Sequence, residues 1–393
     1  MVTPLYPLPT KENNCTFVCH YFTREWVKIG YNVVVIHVQP VHCRAWHFIV
    51  KLFGKTLNNV FGGGNFYARR ITQTEHYIMD GVPVYRVPVF NIIPRGRYPK
   101  RSIDKLVEEV DSTLADLKFS PDVIVGHMTP IEIIPEINMR YHAKTCMVEH
   151  SVDKKLKKRY KNWEELIDSY DSYGFRAKSI RNEFELEYKT VNKPFYCYSG
   201  IPTKYLIDQN LRVFSEPLSS FLFIGDLMER KYPITLLEAI PQVINGDYNI
   251  TYVGDGKERS RLERYVDEKG LNQHVNLAGR VPRDKVANYF DKADCFIMVS
   301  RNEAYGLVYL EAMARGCITI ASRNEGFDGV IVDGYNGFLC EAGDANELAQ
   351  VIRRINNLSS SERRRISNNG LLTARRMTDD QVAKQYVEHL NSI

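Results

Sequence analysis

Apolar residues follow two spacings along this chain. Short continuous apolar runs alternate with longer stretches in which apolar positions return every three or four residues. The runs read as buried strands: Asn32–Ile36, Val82–Val89, Pro121–His127, Cys146–His150, Phe221–Gly225, Asn249–Gly256, Val275–Val281, Cys295–Val299 and Cys317–Ala321. The periodic stretches read as helices: one carrying Phe17, Tyr21 and Trp26 and ended by Gly30, then Ser102–Leu117, a charged helix closing at Gly270, Val286–Asp291, Leu348–Leu358, and a polar stretch Ser361–Ile393 punctuated by Gly370. Strands alternating with helices predict an α/β fold with parallel sheets. Val2–Tyr6 reads as the tail of a first strand. It is shorter than a central strand of about five or six residues, so the native start is expected a few residues upstream. Lys204–Ser220 is polar and weakly patterned, and is expected to link two domains.

One stretch organises the rest: Ser300-Arg301-Asn302-Glu303-Ala304-Tyr305-Gly306-Leu307-Val308-Tyr309-Leu310-Glu311-Ala312-Met313-Ala314-Arg315-Gly316. It joins two apolar runs through a loop and about three turns of good helix formers, with Gly316 at the helix C-cap. A helix starting near Gly306 has free N–H groups and a positive dipole end at the carboxyl edge of a sheet, which is an anion site. Gly306 lets a phosphate approach the backbone. Glu303 precedes the helix and Glu311 lies five residues into it, roughly 7–8 Å along the axis. Two carboxylates flanking a phosphate end match the layout of a nucleotide-sugar. The spacing alone fits better with Glu303 complementing the dipole and Glu311 on a solvated face.

Ser-x-x-Glu-x-x-Gly-Leu-Val-x-Leu-Glu-Ala-Met-Ala-x-Gly resembles the signature of the family 4 glycosyltransferases of the GT-B superfamily. The resemblance implies two Rossmann-like domains with parallel sheets facing across a cleft. The expected divisions are 1–203, a linker 204–220, a nucleotide-sugar domain 221–375, and a terminal helix 376–393 returning to the first domain. Tyr196–Pro202 resembles the strand and turn that close the first domain. By the same resemblance Glu303 contacts the donor sugar, the Gly306, Leu307 and Val308 amides the diphosphate, and Glu311 the ribose. The backbone around Arg280 and Val281 meets the nucleobase. His127, at the carboxyl end of its strand, lies beside the donor sugar; a lone His is otherwise a satisfied structural residue. Lys231 matches the family's phosphate-binding Lys. Asp226 stands where the family has Arg, and a carboxylate there repels a phosphate. Arg230 supplies the missing charge, Asp226 turns away, or donor binding is weakened. The loop after the first strand lacks the family's usual glycines.

Composition narrows the picture. With 393 residues the chain has room for two or three domains. A hydrophobic share of 44% and a charged share of 25% are those of a globular protein, and no run reaches transmembrane length. From Met1-Val2-Thr3-Pro4, no signal peptide is expected. Eight cysteines without Cys-x-x-Cys pairs read as buried thiols of a reducing cytosol. The net charge of +5 is too mild for nucleic acid, but fits anionic donors or an anionic membrane surface. His42–Phe61 mixes aromatic, aliphatic and basic residues, as in an interfacial membrane segment or a core-facing helix with a basic side. Lys154–Lys161 is a solvated face or a patch for anionic lipid or a lipid-diphosphate acceptor.

No Asp-x-Asp occurs, so leaving-group charge is expected on backbone N–H groups, a helix dipole and cations rather than a metal. The resemblance implies a metal-independent, retaining glycosyltransferase without a cofactor. Its acceptor is expected to be a glycan or lipid-linked glycan of bacterial surface polysaccharide biosynthesis, at the inner face of the cytoplasmic membrane. Two alternatives stay open: a non-catalytic partner protein of this fold, and a nucleotide-sugar 2-epimerase.

Overall fold

Cys295-Phe296-Ile297-Met298 has no polar alternation, and all four residues are buried. Such a strand needs cover on both faces, the condition of a parallel sheet between helices. The computed structural model describes residues 1–9, 16–43, 71–92, 96–209 and 211–393. Contacts group the chain into two units. The first comprises Met1–Phe175, Glu183–Cys197 and Ala383–Ile393; the second comprises Arg176–Asn182 and Tyr198–Val382.

The second unit is built on six parallel strands: β9 (Ser220–Ile224), β10 (Asn249–Val253), β11 (Val275–Gly279), β12 (Cys295–Met298), β13 (Ile318–Ser322) and β14 (Phe338–Cys340). Their order is β11-β10-β9-β12-β13-β14. The order reverses between β9 and β12, and ligands of such sheets bind beyond the carboxyl ends at that switch point. The flanking helices are set by their caps. Asp344 accepts the N–H groups of Asn346 and Glu347 at 2.9 Å to start Ala345–Asn356, and Ser359 and Glu362 form a capping box on Ser360–Arg375.

The first unit carries β1 (Val2–Thr3), β2 (Val35–Val41), β3 (Glu75–Met79), β4 (Val82–Phe90), β5 (Val123–His127), β6 (Lys144–Glu149), β7 (Ser172–Phe175) and β8 (Pro194–Tyr196). The order among the described residues is β3-β4-β2-β1-β5-β6-β7-β8, all parallel except β3. Here the switch point lies between β1 and β5. The closing residues of the chain bond within this unit: Trp26 donates to the Ala383 carbonyl at 2.9 Å, and His389 stacks on Phe195 at 3.9 Å.

Four details differ from the pattern-based expectation. β2 starts at Val35, not Asn32, and runs to Val41, because it pairs residue for residue with the long β4, Val35 opposite Val84 through Val41 opposite Phe90. β3 was not anticipated; Asp80 and Gly81, both at positive φ, make the two-residue turn that folds it back on β4. The polar C-terminal stretch is two helices, broken not at Gly370 but at Thr378, which bridges to Ile201 while Asp379 donates to the Ile201 carbonyl. Residues 204–220, expected as a linker, are bonded into the second unit: Ile207 N–H to the Ala314 carbonyl, and Arg212 to the carbonyls of Asp291 and Ala293. The segment His42–Phe61 lies outside the described residues from position 44 onward, as does the loop from 10 to 15.

Buried Asp294 anchors that segment, accepting from the N–H groups of Ser219 and Ser220 at 3.0 and 3.1 Å and from Ser215 at 3.3 Å. Asp294→Ala leaves these amides without their acceptor. We expect stability to fall by roughly 2–4 kcal/mol, read as a lower urea midpoint. A change under about 0.5 kcal/mol would mean water replaces the carboxylate fully.

Candidate functional site

The loop after β12 is fixed from beneath. Tyr309, buried, donates from its hydroxyl to the Met298 carbonyl at 2.6 Å and shares a 3.2 Å contact with Ser300 Oγ. Gly306 turns the chain from loop to helix at φ +84°, and a Cβ there would stand 2.4 Å from the Tyr309 ring. Only glycine fits this position. The helix Leu307–Ala314 follows with no side-chain cap. The N–H groups of Leu307 and Val308 have no acceptor among the described residues. Two open amides and a helix dipole thus face the carboxyl edge at the switch point.

Glu311 is not on a solvated face. It is buried, because the whole helix from Tyr309 to Ala314 is buried, and its Oε1 takes a 2.9 Å bond from Arg283. Burial holds its carboxyl above the ordinary range, and the Arg283 guanidinium pulls it part of the way back. Glu303, expected on the opposite side, lies with both proposed cations. Its Oε2 is 3.5 Å from Lys231 Nζ and 3.5 Å from Arg230 Nη1, yet neither donates it a hydrogen bond. Its own N–H donates to Glu325 Oε2 at 2.9 Å. The turn Glu229–Lys231 is tied to the same loop, since Arg301 N–H donates to the Arg230 carbonyl at 2.7 Å.

Asp226 turns away from this cluster. Its Oδ1 lies 3.6 Å from Arg280 Nη2, both side chains being exposed. A pair so open to water contributes little. Val281 is half-buried beside Arg280 in the turn that follows β11. In the first unit His127 is fully buried, with Nδ1 3.0 Å from His150 Nε2 and Nε2 3.1 Å from the Tyr386 hydroxyl. Both of its ring nitrogens are therefore occupied; the half-buried neighbour is His150. The expected basic patch is partly neutralised: Lys154 pairs with Glu183 at 2.7 Å, Arg159 with Asp153, and Lys157 lies over the Trp163 and Tyr188 rings.

Three residues of the site were not anticipated: Arg283, Glu325 and Tyr309. Glu325 could have been found by asking what the loop after the strand beside β12 carries. Arg283 follows Pro282 in a single 3₁₀ turn, and no periodicity marks it. Among the described residues no group of three or more His, Cys, Asp or Glu could hold a metal ion, and no helix is long and apolar enough to cross a membrane.

Against known proteins, residues 212–372, all in the second unit, match the family model described as Glycosyl transferases group 1. An uncharacterised glycosyltransferase of Methanocaldococcus jannaschii is 31% identical over 182 residues, 46% of this chain and 48% of the relative. A lipopolysaccharide core biosynthesis glycosyltransferase of Rhizobium meliloti is 34% identical over 132 residues, 34% of this chain and 38% of that protein. The chain thus spans about half the length, or less, of these curated relatives. The crystal structure of Anabaena HepE in complex with UDP superposes with a TM-score of 0.68 at 15% identity, covering 100% of this chain and 99% of that one. The fold is therefore GT-B.

Removing Arg283 leaves Glu311 to burial alone, which moves its carboxyl further above its unfolded value. A carboxyl with a raised native pKa destabilises the fold as pH rises past the unfolded value, because the unfolded chain gives up its proton first. Arg283→Ala is expected to lower the urea midpoint near about pH 7 and to be almost neutral near about pH 4, where both states hold the proton. An equal loss at both pH values would assign the effect to the packing of the arginine stem.

Proposed function

We propose that this protein transfers a glycosyl group from a nucleotide-sugar to an acceptor hydroxyl. One observation carries the reading: the helix with the open amides of Leu307 and Val308 follows a loop whose half-buried Glu303 lies against Lys231, and carries the buried Glu311 itself. The amides, the helix dipole, Lys231 and Arg230 would take the charge of the departing diphosphate. Glu311 would release Arg283 and bind the ribose hydroxyls. Glu303, poised between two cations without a hydrogen bond on Oε2, would take a hydroxyl of the sugar. Cations and amides in this role need no metal. Retention at the anomeric carbon follows the resembled family.

His127 enters this reading as a positioning residue for His150, with which it is hydrogen-bonded. UDP is the first nucleotide to try, because the structurally similar HepE was crystallised with it. A glycan or lipid-linked glycan acceptor is supported by the relative in lipopolysaccharide core biosynthesis. Peripheral membrane contact is supported by Lys155, Lys158 and Lys161, which are exposed. Asp226 favours one rival, a non-catalytic partner protein that binds donors weakly.

The test is thermal shift and donor depletion with UDP-, GDP- and ADP-sugars. Wild type is expected to be stabilised by one nucleotide class and to consume its sugar form. Glu311→Ala and Lys231→Ala should each weaken nucleotide binding about tenfold or more. Asp226→Arg should tighten it by about tenfold, since it adds a cation where the exposed Asp226 turns away into water. If wild type binds no nucleotide and Asp226→Arg does, the partner reading replaces this one.

A further inference from the structure

The tetrapeptide Ser-Arg-Asn-Glu occurs twice, at 300–303 just after β12 and at 322–325 at the end of β13. The two strands are parallel neighbours, Cys295 opposite Ile318 through Met298 opposite Ala321, so both tetrapeptides leave the same edge of the sheet side by side. Their burial is the same: the serine is buried, the arginine and asparagine are exposed, and the glutamate is half-buried. Both asparagines are left-handed, Asn302 at φ +53° and Asn324 at φ +61°, a conformation Asn adopts more readily than most residues. Glu325 therefore stands at the end of β13 as Glu303 stands after β12.

The second tetrapeptide is folded against the first. Asn324 N–H donates to Asp328 Oδ2 at 2.6 Å, and Asp328 N–H donates to the Glu325 carbonyl at 2.9 Å, which closes a turn around Glu325. Arg323 pairs with Glu347 at 2.7 Å and leaves Glu325 alone. Gly326 abuts the first loop directly: a Cβ there would stand 2.4 Å from the Glu303 carbonyl oxygen and 2.6 Å from the Tyr305 nitrogen. From this place Glu325 Oε2 accepts the Glu303 N–H at 2.9 Å. Glu325 has no cation partner among the described residues. Its one hydrogen bond there goes to a main-chain amide, and a carboxylate holds such an amide more strongly than a neutral acceptor does.

We propose that Glu325 is a positioning residue for Glu303: its carboxylate fixes the Glu303 main chain and thereby sets where the Glu303 side chain stands against Lys231 and Arg230. The role requires an acceptor that reaches the amide, whether or not it is charged. Its effect on turnover rests on the glycosyl-transfer reading, whereas its hold on the loop does not.

The experiment is hydrogen exchange of the full chain, read by mass spectrometry over residues 300–306. It is paired with consumption of UDP-glucose, GDP-mannose and ADP-glucose and with thermal shifts by UDP, GDP and ADP. Glu325→Ala should speed exchange of the Glu303 amide about tenfold, the loss of one charge-assisted hydrogen bond. It should lower kcat for the donor consumed by about tenfold or more and leave nucleotide affinity within about twofold. Glu325→Gln keeps the reach and loses the charge, and should resemble wild type in every readout. Glu325→Asp keeps the charge and loses the reach, and should resemble Glu325→Ala; these two variants carry the test if Glu325→Ala fails to fold. In a Glu303→Ala background, Glu325→Ala should cost no further turnover, because it acts through the side chain already removed. The inference is overturned if Glu325→Ala leaves loop exchange unchanged, or if Glu325→Asp resembles wild type and Glu325→Gln does not. It is also overturned if turnover and nucleotide affinity fall together, or if the loss is as large without the Glu303 side chain. If no nucleotide stabilises wild type, the transfer reading fails. Faster loop exchange in the Ala and Asp variants, but not in Gln, then still supports the hold of Glu325 on the loop.

Discussion

Everything at the candidate site rests on one backbone constraint: the chain has to pass from a buried strand into a buried helix with no side chain at the corner. Gly306 meets it at φ +84°, with the Tyr309 ring where a Cβ would be. Tyr309 in turn holds the end of β12 through Met298 and Ser300. The result is a helix whose first amides are uncapped by its own sequence. A polar cap such as Ser or Asp would have stabilised the helix and closed the site. Leaving it open costs local stability, which the buried apolar faces of the helix offset.

The charges around that corner are arranged in pairs that a ligand can exchange. Glu311 sits against Arg283, and Glu303 against Lys231 and Arg230. Each pair holds a group that would otherwise be stranded in a poorly hydrated place. In the proposed reading, a diphosphate and two sets of hydroxyls would offer the same groups new partners. Asp226 stands outside this exchange, because its side chain is in water beside Arg280.

Much of this was legible in the sequence, and the reasons are local. Gly306, Glu303 and Glu311 lie within nine positions of one another, so one strand-loop-helix reading orders them. Lys231 is visible because a glycine-stopped strand sets its place. Arg283 and Glu325 were not legible, since each reaches the site from a different strand end and only the strand order brings them together. Residues 204–220 misled for a related reason. Their composition is polar, yet their amides and Arg212 find acceptors in the second unit. The short hairpin strand β3 left a plain trace in Asp80-Gly81, which the hydrophobic pattern alone does not weigh.

That hairpin has a bearing on how the protein behaves in a crowded solution. Among the described residues, the sheet of the first unit would end without β3 at β4, nine residues long and mostly buried. Its unpaired edge would be a template on which a neighbouring chain could add its own strand. Five residues folded back over it, alternating half-buried and exposed and carrying Glu75 and His76, replace that edge by a shorter and more polar one. A two-residue turn thus serves as protection against aggregation.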